Sequence, residues 1–133
     1  MISHFSDALY HNLRRQQNDN LLGLWLATLD DEHNRPLPAE IATFSYRRDL
    51  FLWGLGRLLF EGKLRLAKNN ILLDAPPNAL VAQFTAAWPP SEEAADHEIG
   101  VHHGCGMLLW FFMEACPGSA VWVEADGTLT WVS

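Results

Sequence analysis

The sequence is short of cysteine and of long hydrophobic runs, and each shortage excludes a class of protein. Only Cys105 and Cys116 occur among 133 residues. Two thiols in a chain of this size indicate reduced cytosolic cysteines rather than a disulfide framework. The longest apolar run, residues 107–113, is far shorter than the ~18 residues of a membrane span. We therefore expect no disulfide scaffold and no membrane partner.

The N-terminal residues lack the features of a secretory signal. Residues 1–7 contain neither a basic segment nor a continuous apolar segment, and a signal peptide needs both. This predicts a cytoplasmic protein. Hydrophobic residues make up 49% of the chain and charged residues 19%, which is the composition of a globular protein. The length suits one domain, residues 1–133.

Basic residues are also few. Nine basic residues stand against sixteen acidic ones, leaving a formal net charge of −7. Such a balance repels phosphate backbones, so we expect no nucleic-acid partner. The two basic pairs, Arg14-Arg15 and Arg47-Arg48, fall where a helix would present its solvent face. The acidic residues are either a solvated surface or a patch that docks a basic partner.

Apolar spacing predicts three to four helices. The first covers residues 2–13, and a second stretch at 21–29 is either separate or joined to it through a bend. The clearest helix begins at an N-cap formed by Ser45 and ends before Gly62. We expect it to be the most buried element, with an apolar surface that extends almost all round. A further helix follows Pro76-Pro77.

Alternating residues predict a short hairpin from 63–66 and 71–73, and a second hairpin from 120–123 and 128–132 around an Asp-Gly turn. Residues 89–104 are predicted to be an exposed loop. Residues 107–113 are all apolar, which fits a buried strand or a buried helix, and their aromatics slightly favour a strand. The sum is an α+β fold: three to four helices packed on a small antiparallel sheet, with a C-terminal β-hairpin.

Six tryptophans are present, and we expect at least four of them in the core, with Trp131 partly exposed. Cys116 precedes Pro117-Gly118 and is predicted to be a small buried residue at a turn.

One cluster combines the ligand types of a zinc or iron site: His97, Glu98, His102, His103 and Cys105. Its spacing matches no metal motif, so a polar loop is the preferred interpretation. A small metal- or thiol-dependent enzyme using His97, His102, His103 and Cys105 stays as the alternative. We predict no catalytic residue and no cofactor.

Two stretches, Phe51–Leu66 and Trp110–Val123, together with Trp131, resemble a bacterial domain-of-unknown-function family, number five hundred and ninety-six. Proteins resembling this family occur beside toxins of contact-dependent growth inhibition systems, where some are cognate immunity proteins. The resemblance implies an immunity protein that binds a cognate toxin domain and occludes its active site, without enzymatic activity of its own. A housekeeping protein-binding adaptor is a further alternative.

A delivered toxin that is a nuclease needs a cationic cleft, and an acidic inhibitor gains association rate from the complementary potential. We therefore expect the acidic loops, rather than the C-terminal hairpin with Glu124 and Asp126, to bind the toxin. Their candidate toxin-binding residues are Asp30, Asp31, Glu32, Glu92, Glu93, Asp96 and Glu98. The apolar anchors expected in the same loops are Leu37, Ile99 and Val101.

Overall fold

The computed structural model describes residues 5–100 and 106–132. Within these ranges six helices and four strands follow one another: α1 (Asp7–Arg14), α2 (Leu21–Ala27), α3 (Phe44–Phe60), β1 (Leu64–Lys68), β2 (Ile71–Leu72), α4 (Pro77–Ala87), α5 (Glu92–Ile99), α6 (Gly106–Trp110), β3 (Ser119–Val123) and β4 (Leu129–Trp131). The α+β class, the antiparallel sheet and the C-terminal β-hairpin are confirmed. The described residues contain more helices than the three to four predicted.

The N-terminal apolar stretches form two separate helices, because each has its own N-cap. The Ser6 hydroxyl accepts a hydrogen bond from the backbone N–H of Leu9 at 3.2 Å. The Asn20 side chain accepts one from the N–H of Gly23 at 3.3 Å. These caps satisfy backbone donors that the first turn of a helix leaves without partners.

Helix α3 begins two residues earlier than a Ser45 cap would allow, so the predicted N-cap was wrong. Thr43 is the cap, and its hydroxyl accepts a hydrogen bond from the Tyr46 N–H at 3.2 Å. The helix ends as predicted, because Gly62 has a positive φ of 72°, a conformation that glycine adopts without steric cost.

One face of α3 forms the centre of the core. Its fully buried side chains are Leu50, Phe51, Leu55 and Leu58. Gly54 lies directly against Leu13 of α1, where a Cβ atom would overlap the leucine side chain. Phe60 is 82% exposed, however, so the apolar surface of α3 does not extend all round as expected.

The four strands form one antiparallel sheet in the order β2-β1-β3-β4. Leu64 pairs with Trp122 and Leu66 with Ala120, and all four side chains are buried. The Trp122 indole N–H donates to the Asp19 carbonyl at 2.7 Å. This bond ties the C-terminal hairpin to the segment between α1 and α2.

Residues 89–104 were predicted to be a loop, but most of the described part is helix α5. Ser91 is its N-cap and accepts a hydrogen bond from the Ala94 N–H at 3.0 Å. Gly100, with a φ of 85°, ends it. The sequence does not predict this helix, because Ala95 is its one fully buried residue and no apolar periodicity results.

Residues 107–113 were slightly favoured as a strand, and this was also wrong. They begin in helix α6 and continue into turns. Trp110 and Phe111 are buried, whereas Leu109 and Phe112 are exposed. A wholly apolar segment gives no periodicity, and the packing of α6 against α5 determines the outcome.

The helices enclose a cluster of aromatic rings. The Trp88 ring centroid lies 5.5 Å from that of Trp25, and 5.2 Å from those of both Phe51 and Trp110. The tryptophan prediction is confirmed: Trp25, Trp88, Trp110 and Trp122 are buried, and Trp131 is 49% exposed. Such rings dominate the burial energy of a small domain.

The contact between α5 and α6 generates a prediction. A Cβ added at Gly106 would overlap the backbone of Ala95 and Asp96, which cannot move as a flexible side chain can. Gly106→Ala should therefore lower the free energy of unfolding by about 1–3 kcal/mol, measured by urea denaturation.

Gly56→Ala is the matched control. A Cβ at position 56 would lie 3.3 Å from a Val81 methyl, and alanine gains about 1 kcal/mol of helix propensity over glycine. Equal or greater stability loss in this control than in Gly106→Ala would contradict the close approach of α5 and α6.

Candidate functional site

Arg47 is the centre of the candidate site, although the sequence placed it on a solvent face. It is 7% exposed, and its guanidinium carbon lies 3.9 Å from the centre of the Trp25 ring. The guanidinium donates to the Trp25 carbonyl and to the Thr28 hydroxyl, both at 3.0 Å. Arg47 thus joins α3 to the C-terminal end of α2, immediately before the first acidic segment, residues 30–32.

The same guanidinium reaches the second acidic segment, residues 92–98. Its Nη1 atom lies 4.0 Å from a carboxylate oxygen of Glu92, in the first turn of α5. Burial lowers the pKa of Arg47, and the charge of Glu92 acts in the opposite direction. One buried cation therefore contacts Thr28, just before the first acidic segment, and Glu92, at the start of the second.

In the first segment, Asp31 is a structural carboxylate. It accepts hydrogen bonds from the backbone N–H groups of His33 at 2.8 Å and Arg35 at 3.0 Å. The pKa of Asp31 is lowered, chiefly by the Arg35 backbone N–H. The Asp31 carbonyl also accepts a bond from the Asn12 side chain at 2.7 Å. Asp31 therefore stabilises the turn at residues 31–35.

Asp30 and Glu32, on either side of Asp31, do not share its hydrogen bonds to the turn. Asp30 is half-buried and forms an isolated bridge with Pro36. Glu32 is exposed, and its charge raises the pKa of Tyr46, although burial contributes more to that shift. Glu32 therefore lies near the first turn of α3.

In the second segment, Glu92 and Glu93 occupy the first turn of α5, where carboxylates interact favourably with the helix dipole. Asp96 accepts a hydrogen bond from the Gly106 N–H at 2.7 Å and so holds the start of α6. Glu93 and Glu98 are exposed. The seven predicted residues therefore divide into structural ones, such as Asp31 and Asp96, and the exposed set Glu32, Glu93 and Glu98.

The predicted apolar anchors receive only partial support. Leu37 and Ile99 are half-buried, and Val101 lies outside the described residues. Two other apolar side chains are more accessible: Leu29, next to Asp30 in the chain, is 39% exposed, and Ile41, in the connection between α2 and α3, is 51% exposed. Apolar residues of this kind beside a polar rim are typical of interface anchors.

The alternative metal site falls largely outside the described ranges. His97 is exposed on α5, whereas His102, His103 and Cys105 belong to the segment that the structure does not describe. Within 5–100 and 106–132, no group of three or more histidine, cysteine, aspartate or glutamate side chains could hold a metal ion. The proposed ligand set stays a prediction.

Cys116 is buried, as predicted. Burial raises the pKa of its thiol to about 11, and the thiol donates to the Gly118 carbonyl at 3.4 Å. A thiol with a raised pKa is a poor nucleophile at neutral pH. The environment fits a structural residue at the turn before β3.

The fold and its residues define a small α+β protein, and comparison with known proteins gives its family. Residues 59–132 match the family described as "Protein of unknown function, DUF596". This match covers more than half of the chain, so the protein belongs to that family. No curated protein matches the chain.

The fold is similar to a solved structure of an uncharacterized protein conserved in bacteria, from Neisseria meningitidis. The TM-score is 0.70 at 24% sequence identity, and the match covers 94% of this chain and 87% of the other. At that identity the likeness supports the fold alone. Separately, none of the helices described here has the length and apolar character that crossing a membrane requires.

The role of Arg47 can be tested by substitution. Arg47→Met should lower the free energy of unfolding by about 2–4 kcal/mol, because the Trp25 carbonyl, the Thr28 hydroxyl and Glu92 lose their common partner. Arg48→Met is the control, since Arg48 pairs with its sequence neighbour Asp49, with side chains 37% and 41% exposed, and surface pairs contribute about 0–1 kcal/mol. Equal losses in urea denaturation would contradict the assignment.

Proposed function

We propose that this protein is a cytoplasmic immunity protein that binds a cognate contact-dependent growth inhibition toxin and blocks its active site. It acts by binding and not by catalysis. The toxin domain is a nuclease, and its cationic cleft is met by the exposed carboxylates Glu32, Glu93 and Glu98.

The observation that carries the proposal is the connection at Arg47. Both acidic segments are fixed to one buried guanidinium through Thr28 and Glu92. The exposed carboxylates are therefore held by helices and a hydrogen-bonded turn rather than by free loops. Preorganised charge costs less ordering entropy on binding than charge on mobile segments.

Charge and apolar surface both support a basic protein partner. The net charge of −7 gives an acidic inhibitor a faster association with a cationic cleft. Leu29, next to Asp30 in the chain, and Ile41, in the connection between α2 and α3, supply exposed apolar side chains. An interface needs such anchors, because surface charges contribute more to rate and specificity than to affinity.

The direct test is protection from a toxin. The protein should restore growth when it is co-expressed with the C-terminal toxin domain encoded beside its gene, and the two should co-purify. Failure to restore growth and to form a complex with that domain, or the lack of any such neighbouring toxin gene, would overturn the proposal.

The acidic surface, which consists of Glu32, Glu93 and Glu98, can be tested by matched charge reversals. Glu93→Lys with Glu98→Lys should weaken binding to the toxin domain about tenfold at low salt, mainly through slower association. The loss should shrink as salt rises, because added ions screen exposed charges. Titration by surface plasmon resonance at two salt concentrations measures both effects.

The control is Glu114→Lys with Asp126→Lys, which changes the net charge by the same amount at exposed positions elsewhere. Glu92 and Asp96 are left intact, because they contact Arg47 and Gly106. If the control loses as much affinity as the Glu93 and Glu98 variant, total charge accounts for the effect and the surface assignment is wrong.

A further inference from the structure

A basic cleft lies at the C-terminal end of α1, in a protein that is acidic overall. It has a volume of about 340 Å³ and is lined by His11, Arg14, Arg15 and Gln17. Residues 11, 14 and 15 are three and four positions apart, so their side chains leave one face of the helix. None of the four lining residues is acidic, although the whole chain has sixteen acidic residues and nine basic ones.

The two arginines of the basic cleft keep their side-chain donors available. Within residues 5–100 and 106–132, neither the Arg14 nor the Arg15 side chain forms an ion pair or a hydrogen bond. Their position at the end of α1 is favourable for the helix dipole, but that interaction uses none of their N–H donors. Other cations of the described chain each form an ion pair: Arg35, Arg47, Arg48, Arg57 and Lys68.

Two carboxylates lie in a second, adjoining cleft. This cleft of about 300 Å³ shares Arg14 and Gln17 with the basic cleft, and Glu61 and Glu124 also line it. Lys63 lines it too, so the second cleft holds two cations and two carboxylates, and its charges balance. An anion therefore fits the basic cleft better than the second one.

The carboxylates of this region are bound by other residues. The Arg57 guanidinium donates to Asp7 at 2.8 Å and to Glu61 at 3.0 Å. Glu124 accepts a hydrogen bond from the Thr130 hydroxyl at 2.6 Å. Each of the three carboxylates is more than 4.0 Å from the arginine nitrogens of the basic cleft. The charge of those arginines is therefore not consumed by an internal ion pair.

The donors of the basic cleft suit a tetrahedral oxyanion. Each guanidinium is a planar fork of N–H donors. Arg14 and Arg15 are consecutive in a helix of 3.6 residues per turn, so their side chains leave the backbone about 100° apart and approach a shared ligand from different directions. A phosphate group offers oxygens in several directions, whereas a carboxylate offers two in one plane. Two full positive charges also attract a dianion more strongly than a monoanion.

The two clefts offer little to an apolar ligand. Among their described lining residues the apolar side chains are Val123 and Ala125, both in the second cleft, and no phenylalanine, tyrosine or tryptophan is present. A nucleobase or a hydrocarbon chain would therefore find no aromatic ring to stack on and little apolar surface to pack against. The ligand is accordingly recognised by its charge and its oxygens.

We propose that the basic cleft binds a dianionic phosphate group, as free phosphate or as a phosphate monoester, with Arg14 and Arg15 as its binding residues. The site goes beyond the function proposed above, because it uses none of the residues of the acidic surface. The phosphate diesters of a nucleic-acid backbone carry a single charge each and lack the second charge that the arginine pair favours.

The probes for the test are inorganic phosphate, methyl phosphate and dimethyl phosphate, titrated into the intact protein at constant ionic strength and followed by NMR. At about pH 8 the first two are dianions. Phosphate should bind saturably at roughly millimolar concentration, as befits a ligand of so few atoms. Dimethyl phosphate, a monoanion, should bind about tenfold more weakly. No saturable phosphate binding up to about 20 mM, or equal binding of dimethyl phosphate, would overturn the proposal.

Methyl phosphate distinguishes the two sources of the phosphate group. Because Arg15 is exposed, one phosphate oxygen can face solvent, and methyl phosphate should bind as tightly as phosphate. That result supports a site that accepts monoesters. Binding about tenfold weaker than that of phosphate supports a site for free phosphate instead.

Substitutions separate a specific site from general attraction. Arg14→Met and Arg15→Met should each weaken phosphate binding about tenfold, through loss of one charged donor fork. Arg48→Met removes the same charge from a residue that lines neither cleft and should leave the affinity unchanged. An equal loss in Arg48→Met, or unchanged affinity in both cleft variants, would overturn the proposal.

The exposed Arg15 keeps the test decisive if Arg14→Met proves unfolded by circular dichroism. Arg15 makes no side-chain contact in the described chain that folding would need. In that case unchanged phosphate binding by Arg15→Met overturns the assignment, and a loss of about tenfold supports it.

Discussion

The burial of the Arg47 guanidinium is the constraint on which the arrangement of the helices depends. Removing an ion from water costs several kcal/mol even in a relaxed protein interior. Here the cost is offset by the face of Trp25, the Trp25 carbonyl, the Thr28 hydroxyl and the Glu92 carboxylate. These groups come from the C-terminal end of α2 and the start of α5. One charge on α3 therefore contacts both of these elements.

The aromatic core and the Arg47 connection share Trp25. The Trp25 ring contributes dispersion and buried area through its contacts with Phe51, Trp88 and Phe111. The same ring attracts the Arg47 guanidinium electrostatically, since that cation lies over its face. Trp25 thus links the Arg47 contacts to the buried aromatic cluster.

The sequence predicted those elements whose periodicity or turn chemistry is unambiguous. Helix α3 and both hairpins were predictable because their apolar spacing agrees with their turn residues, which are Gly62, Asn69-Asn70 and Gly127. Helix α5 was not, since only Ala95 of it is fully buried, and α6 was not, since its segment is apolar throughout. These two depend on tertiary contact, including the bond from the Gly106 N–H to Asp96, which no local pattern reveals.

The candidate site was predictable only in part. Acidic clustering identified the two segments and their exposed glutamates. It could not show that Asp31 and Asp96 are used internally, because their partners depend on the fold. Arg47 was missed because arginine is normally exposed, although it precedes Phe51 by four residues and Leu50 by three. That spacing places Arg47 on the buried stripe of α3. It is the sequence feature from which the burial of Arg47 could have been predicted.

Hydrogen–deuterium exchange of an Arg47→Lys variant tests most directly whether one guanidinium organises both acidic segments. Lysine keeps the charge but cannot reproduce the planar fork of donors. The amides of residues 26–32 and 92–98 should exchange faster together, while those of the hairpin formed by β3 and β4 keep their protection. Faster exchange in one segment alone, or in neither, would contradict the central role of Arg47.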